Sequence, residues 1–237
     1  MNDDPIAPGE VKLWWTSVQE SAPLVESLQS LLDEDELQRA VRFRVEAARR
    51  RFVTARAMLR LVLARSTGIP PEQLAFAFGK HGKPRLATGR PCFNLAHSGD
   101  TAVVAVAGEP VGVDVEELRA LPNGRRLADR ICTPTELDTL GSLPEAERDS
   151  ALLRLWTCKE AVLKTLGSGI GGGMRSVEVD ADPGRPPRLL RLQGKAYPWS
   201  LLQAPLPAEV VCTVAVCSES SRLSTHPFPW LDLIAHN

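Results

Sequence analysis

Asp114 and Glu116 stand two residues apart in "VGVDVEE", Val111 to Glu117, a stretch otherwise built like a buried strand. Side chains alternate faces along a strand, so Val111, Val113 and Val115 point one way while Gly112, Asp114 and Glu116 point the other. Two carboxylates on one face repel and an apolar sheet solvates them poorly, so they call for water, a partner cation or a metal. Hard oxygen donors of this kind suit magnesium, which usually takes one or two carboxylates together with substrate phosphates. A strand end emerging into solvent as "DVEEL" is the plainer alternative.

A second stretch bears on that choice. In "ALLRLWTCKEAVLKTL", Leu152, Leu155, Trp156, Val162, Leu163 and Leu166 form an apolar stripe at helical spacing, with Lys159 in its middle and Glu160 at its border. Taken alone, Lys159 reads as a buried stem whose ammonium escapes to water. Beside Glu160, and with Lys164 one turn on, it reads as part of a cleft that holds anions. Three acids and two lysines suit a metal-bound phosphate. Because neither Asp114 nor Glu160 is expected to pack in the core, replacing either is expected to leave the fold largely intact.

Further polar groups are spread over loops. "FGKHGKPRL" offers Lys80, Lys83 and Arg85 on a turn stiffened by Pro84, and lysine binds phosphate as a compact point charge. "FNLAHSGD" adds His97 and Ser98 as donors to an anion. Each of these also reads as a solvated turn. The arginines of "VRFRVEAARRRFVTARAMLR" are dense, yet a charged run is usually a wet helix face. "GSGIGG", Gly167 to Gly172, satisfies G-x-G-x-x-G but follows a helix where the dinucleotide fingerprint follows a strand, so it reads as a helix stop and flexible loop. His97 beside Ser98 has no G-x-S-x-G elbow, which sets serine hydrolysis aside.

The elements that must position these groups follow from pattern. "VKLWWTSV" reads as a first strand, and Asp33 with Glu36 as a capping signal for a helical region that stops at Gly68, with a break near "RFRVEAARR". "TAVVAVA" and "VGVDVEE" flank "GEP" as an expected hairpin. Short helices are expected between Arg119 and Arg148, then a long one through Glu160, then strands in "SVEVDA", "RLLRLQ", "YPWSLL" and "EVVCTVAVC". Each half thus passes through helix and strand alike, a hint of duplication that residue identity is too low to establish.

A chain of 237 residues with 43% hydrophobic and 24% charged residues fits one large globular domain or two close lobes. The formal net charge of -1 excludes the strongly basic balance that would make nucleic acid the default partner. Five scattered cysteines include no C-x-x-C pair, and no stretch approaches the length of a membrane span. A monomer in a reducing cytoplasm, with no membrane or nucleic-acid partner, is the expectation.

The ordered set "GKPRL", "FNLAHSGD", "GVDVEE" and "WTCKEAVLK" resembles the Sfp-type 4'-phosphopantetheinyl transferases, over nearly the whole chain. The resemblance implies an α+β fold of two similar lobes about a pseudo-twofold axis, each with helices on a small, mostly antiparallel sheet. They would span 1–108 for coenzyme A nucleotide contacts and 109–237 for the magnesium and catalytic motifs. It implies transfer of phosphopantetheine from coenzyme A to a serine of apo carrier proteins of nonribosomal peptide, polyketide or fatty acid synthases, releasing adenosine 3',5'-bisphosphate. By that resemblance Asp114, Glu116 and Glu160 would hold Mg2+, with Glu160, Lys164 and Glu116 catalytic. Arg51, Arg56, Lys83, Pro84, His97, Ser98, Lys159 and Lys164 would contact coenzyme A.

Glu136 of "CTPTEL" matches a further acidic position of less settled role. Ala96 stands where many members have serine, and Glu36 where some carry a base, leaving the 3'-phosphate to Arg39 and later arginines. Arg119, Arg125, Arg126 and Arg130 between the acidic motifs would dock an acidic carrier. A different Mg2+-dependent phosphohydrolase or nucleotidyl transferase using the same acids is the rival reading, and a basic helix module binding nucleic acid is the non-catalytic one.

Overall fold

β-branched runs and Ala/Leu/Arg-rich stretches sort into elements along the residues that the computed structural model describes, 6–19, 24–168, 173–207 and 209–230. The first half runs β1 (Glu10–Ser17), α1 (Val25–Leu28), α2 (Glu34–Val41), α3 (Glu46–Thr67), β2 (Phe76–Phe78), β3 (Pro84–Leu86), β4 (Cys92–Ser98) and β5 (Thr101–Ala107). The second runs β6 (Val111–Glu117), α4 (Gly124–Ile131), α5 (Pro134–Ser142), α6 (Glu145–Leu166), β7 (Val177–Asp180), β8 (Arg188–Leu192), β9 (Ser200–Gln203) and β10 (Val210–Val216), followed by β11 (Arg222–Pro227).

The fold is mixed α+β, and the order of strands repeats. One sheet is ordered β11-β1-β5-β4 and another β6-β10-β9, so β1-β5-β4 and β6-β10-β9 are built alike, each antiparallel throughout. Each half also adds a two-stranded hairpin after its long helix. The expected hairpin of "TAVVAVA" with "VGVDVEE" does not form: β5 is already flanked by β1 and β4, and the "GEP" turn carries the chain into the other sheet, where β6 pairs with β10. The strand β11 went unforeseen. It pairs parallel to β1, Glu10 opposite Arg222 through Trp15 opposite Pro227, so a boundary at 108/109 leaves this last strand on the first-half sheet.

The helices share a design. α3 and α6 are each 22 residues long and end on a left-handed glycine, Gly68 and Gly167. Residues 169–172 of the "GSGIGG" loop lie outside the described residues. α2 and α5 each begin with a capping box, Asp33 with Glu36 and Thr133 with Glu136, whose glutamates are buried. A capping-box glutamate satisfies one backbone donor and has lone pairs to spare. Each is used to pin a cation of the long helix: Glu36 takes Arg56 and Arg60, and Glu136 takes Lys159.

Three apolar clusters hold this together. One lies under α3, including Val53, Met58, Leu59 and Leu63, and extends to Phe228 and Trp230 beyond β11. A second surrounds α6 with Leu152, Leu155, Val162 and Leu163. The third, with Val11, Leu13, Val103, Val111, Val113, Val115, Val214 and Val216, spans strands of both sheets and joins the halves. No described helix is long and apolar enough to cross a membrane.

Candidate active site

The glycine of "VGVDVEE" is what brings the acids to the helix. A Cβ on Gly112 would lie 2.2 Å from the Ala161 carbonyl oxygen and 2.5 Å from the Thr165 nitrogen, so only glycine lets β6 lie this close on α6. Two residues on, Asp114 meets Lys164: its Oδ1 accepts from the ammonium at 2.6 Å, and the Val113 carbonyl accepts from the same nitrogen at 3.2 Å. Asp114 and Glu160 are both buried, at 6% and 5% exposure, against the expectation that neither packs inside. Their Oδ2 and Oε1 atoms are buried with no hydrogen-bond partner.

Burial is the largest influence on both carboxyls. It pushes Asp114 up to about 7, with Lys164 opposing and Glu160 and Glu116 adding to the rise. Glu160 is also raised, by burial first and then Glu116, against the pull of Lys164. Glu116, at the emerging end of β6, accepts from the Ser98 hydroxyl at 3.2 Å and lies 3.9 Å from Arg119.

Among the described residues no three acid, histidine or cysteine side chains converge closely enough to hold a metal ion as they stand. The chemistry of the set nevertheless fits a hard divalent cation. Two buried carboxylate oxygens lack partners, burial disfavours the ionised form of both carboxyls, and the groups are oxygen donors. Among the described residues Lys164 is the cation paired with Asp114.

Polar groups of the first half border the acids, Ser98 directly through Glu116. His97, on β4, is held below its usual value by partial burial first and then by the charges of Lys164, Arg51 and Arg39. Arg39 also stacks on Phe52, 5.1 Å from the ring centre. Ser98 of β4 bonds Glu116 and Lys164 bonds Asp114, so the end of β4 that carries His97 and Ser98 borders the acids of β6.

The remaining residues are placed otherwise. Lys159 is fully buried, neither snorkelling nor facing an anion cleft, and its ammonium is spent. It donates to Glu136 Oε2 at 2.7 Å and to the carbonyls of Ile131 (3.0 Å), Met174 (3.2 Å) and Val177 (2.7 Å). Glu136 is thereby a structural counter-ion, whose Oε1 also accepts from Val179 N at 2.9 Å. Arg56 is paired with Glu36 and lies over the Phe76 ring, so the acid at position 36 occupies a guanidinium expected to bind phosphate. Arg60 beside it is fully buried against Glu36, Asp33 and two carbonyls.

Lys83 is intermediate. Its ammonium donates to Val111 O at 2.8 Å and Thr165 O at 3.2 Å, and burial brings it down to about 8. Its stem and Pro84 line a cavity of about 470 Å³, along with Lys80, Arg85, Phe93 and Leu166. Reading by residue type missed Asn94, whose Oδ1 accepts from Val113 N at 2.8 Å. Its signal was a buried-strand position carrying an amide within "FNLAHS".

Residues 14–110 match the family model described as "4'-phosphopantetheinyl transferase, N-terminal", and residues 110–215 match that of the "4'-phosphopantetheinyl transferase superfamily". The chain is 36% identical to the 4'-phosphopantetheinyl transferase HetI of Nostoc sp., over 87% of each chain. It is 33% identical to the 4'-phosphopantetheinyl transferase psf-1 of Bacillus pumilus, over 64% of this chain and 65% of that one. A phosphopantetheinyl transferase of Thraustochytrium sp. is 29% identical over 79% of this chain and 71% of its own.

Proposed function

Given that the chain belongs to the 4'-phosphopantetheinyl transferase superfamily, we propose that it transfers the phosphopantetheine arm of coenzyme A to a serine of an apo carrier protein. The observation that carries the site assignment is the pair of buried, unpartnered carboxylate oxygens of Asp114 and Glu160, with Lys164 on Asp114 and Ser98 on Glu116. Acids that need a cation, beside an ammonium that can meet an anion, suit a metal-bound phosphate.

In this reading the serine oxygen attacks the phosphorus that bears the pantetheine arm. The new bond is serine O–P, the bond that breaks joins that phosphorus to the bridging oxygen of the pyrophosphate, and adenosine 3',5'-bisphosphate leaves. Glu160, whose proton affinity is raised by burial, takes the serine proton. Lys164 lies where it can oppose charge growing on the leaving phosphate. Asp114, Glu116 and Glu160 would hold Mg2+, which when bound neutralises pyrophosphate charge as a Lewis acid.

Arg51, His97, Ser98 and Arg39 receive the coenzyme's outer phosphates. The cavity lined by Lys83 and Pro84 receives the nucleotide. The repeated strand order supports reading the chain as two lobes about a pseudo-twofold axis, with coenzyme A along the seam.

α4 presents Arg125, Arg126 and Arg130 to solvent, with Arg119 just before it, and this face docks an acidic carrier. The test is intact-mass measurement of several apo carrier proteins after incubation with the enzyme, coenzyme A and Mg2+. A phosphopantetheine mass gain on at least one is expected, and none on any would sink the reading in favour of a phosphohydrolase or nucleotidyl transferase. In the same assay the double reversal Arg125→Glu with Arg126→Glu raises KM for the carrier several-fold and flattens its salt dependence. Unchanged values would remove α4 from the docking face.

A further inference from the structure

β6 is bonded on one side only. In its antiparallel ladder with β10, the residues that alternate with the bonded ones turn their N–H and C=O groups outward, and such an edge must find other partners when it is buried. No strand supplies them: β4 lies alongside but belongs to the other sheet. Side chains take the place of the missing strand. Asn94 Oδ1 accepts from Val113 N at 2.8 Å, Lys83 donates to Val111 O at 2.8 Å, Ser98 Oγ accepts from Glu117 N at 3.2 Å, and Lys164 donates to Val113 O at 3.2 Å. Three of the four come from the first half.

We propose that Asn94 is a positioning residue for transfer, fixing the acid-bearing strand β6 at a set distance from β4, the strand that carries His97 and Ser98. Asn94 sits three residues before His97 on β4 and bonds the amide next to Asp114, so one side chain ties the strand of His97 and Ser98 to the strand of Asp114 and Glu116. It is buried, at 7% exposure, and its bond is the central one of the three that cross between halves. Lys83 and Ser98 act at either end of the same strand. The inference rests on the transferase reading for its consequence, while the tie itself rests on geometry alone.

The test compares Asn94→Leu, which keeps the bulk and removes the acceptor, with Asn94→Asp, which keeps an acceptor. Amide hydrogen exchange of Val113 and steady-state kinetics are both measured on the full chain. In N94L the Val113 amide loses its protection and kcat falls on the order of 10- to 100-fold while KM for coenzyme A holds, as expected when reacting groups are misplaced by about an ångström. In N94D protection and most of kcat return. Full kcat in N94L, or a kcat in N94D as low as in N94L despite regained protection, would overturn the proposal. If N94L does not fold, Asn94→Ser, whose hydroxyl falls short of Val113, takes its place in the same comparison. Wild-type inactivity on every carrier would refute the transferase reading and the consequence drawn from it; an unprotected Val113 in the wild type would refute the tie.

Discussion

Asp114→Asn ends phosphopantetheine transfer and, at pH 8 without divalent cation, leaves the protein more resistant to heat than the wild type. Both effects come from the same burial. Asp114 lies inside with one oxygen on Lys164 and the other unpartnered, and burial outweighs the lysine to lift its carboxyl to about 7. The folded value stands above the ordinary value of 3.8, so the folded chain keeps a proton that the unfolded chain has released.

Stability therefore falls as pH rises from about 4 to about 7. The full penalty is present above that window and absent below it. The gap corresponds to at most about 4 kcal/mol, which asparagine does not incur because it is never ionised. Catalysis needs the ionised form, and its loss costs on the order of 100- to 1000-fold or more, as when a preorganised charge is removed. Thermal unfolding at pH 4 and pH 8 checks the first half, and the carrier mass assay the second. Substantial residual transfer, or no gain in melting temperature at pH 8, would refute the assignment of Asp114.

Lys159→Met costs about 3 to 5 kcal/mol of stability and leaves coenzyme A affinity unchanged. The substitution strands Glu136 inside the protein with a charge and no counter-ion, and removing one member of a buried pair carries a penalty of that size. It also frees three backbone carbonyls that the ammonium now satisfies. The melting temperature of this chain length falls about 10 °C. Coenzyme binding is then measured by calorimetry below the new transition. A variant that melts with the wild type but has lost its affinity for coenzyme A would restore Lys159 to the binding site.

Much of this architecture was legible from residue order. The two long helices, their glycine stops and the capping box of Asp33 with Glu36 follow from local chemistry that tertiary contacts did not override, whereas the matching box of Thr133 with Glu136 went unread. The alternation that put Asp114 and Glu116 on one face needed only the period of a strand. What local pattern could not convey was partner choice. "TAVVAVA" and "VGVDVEE" both look like strands, and nothing in either says that β10, about a hundred residues away, outcompetes the neighbour across a three-residue turn. β11 escaped because "RLSTHP" is polar and ends in proline, as an edge strand tolerates.

Cations were harder still. Arg51, Arg56, Lys83, Lys159 and Lys164 look equivalent as residue types, yet their tasks differ according to where acids lie. Glu36 and Glu136 claim Arg56 and Lys159, and two carbonyls engage Lys83. Lys164 meets an acid that still has a bare oxygen.

The strand β11 gives the chain a schedule. Emerging from the ribosome, β1 can gather β5 and β4 within its first 107 residues, but its other edge must wait for residues 222–227. Until then the edge beside Glu10 to Trp15 stands open to any passing strand, the usual starting point for aggregation. The closing move also brings Phe228 and Trp230 into the core under α3, with the Trp230 indole donating to Thr16. A ribosome that stops before residue 222 would release a chain with both acidic motifs complete and its first sheet unsealed.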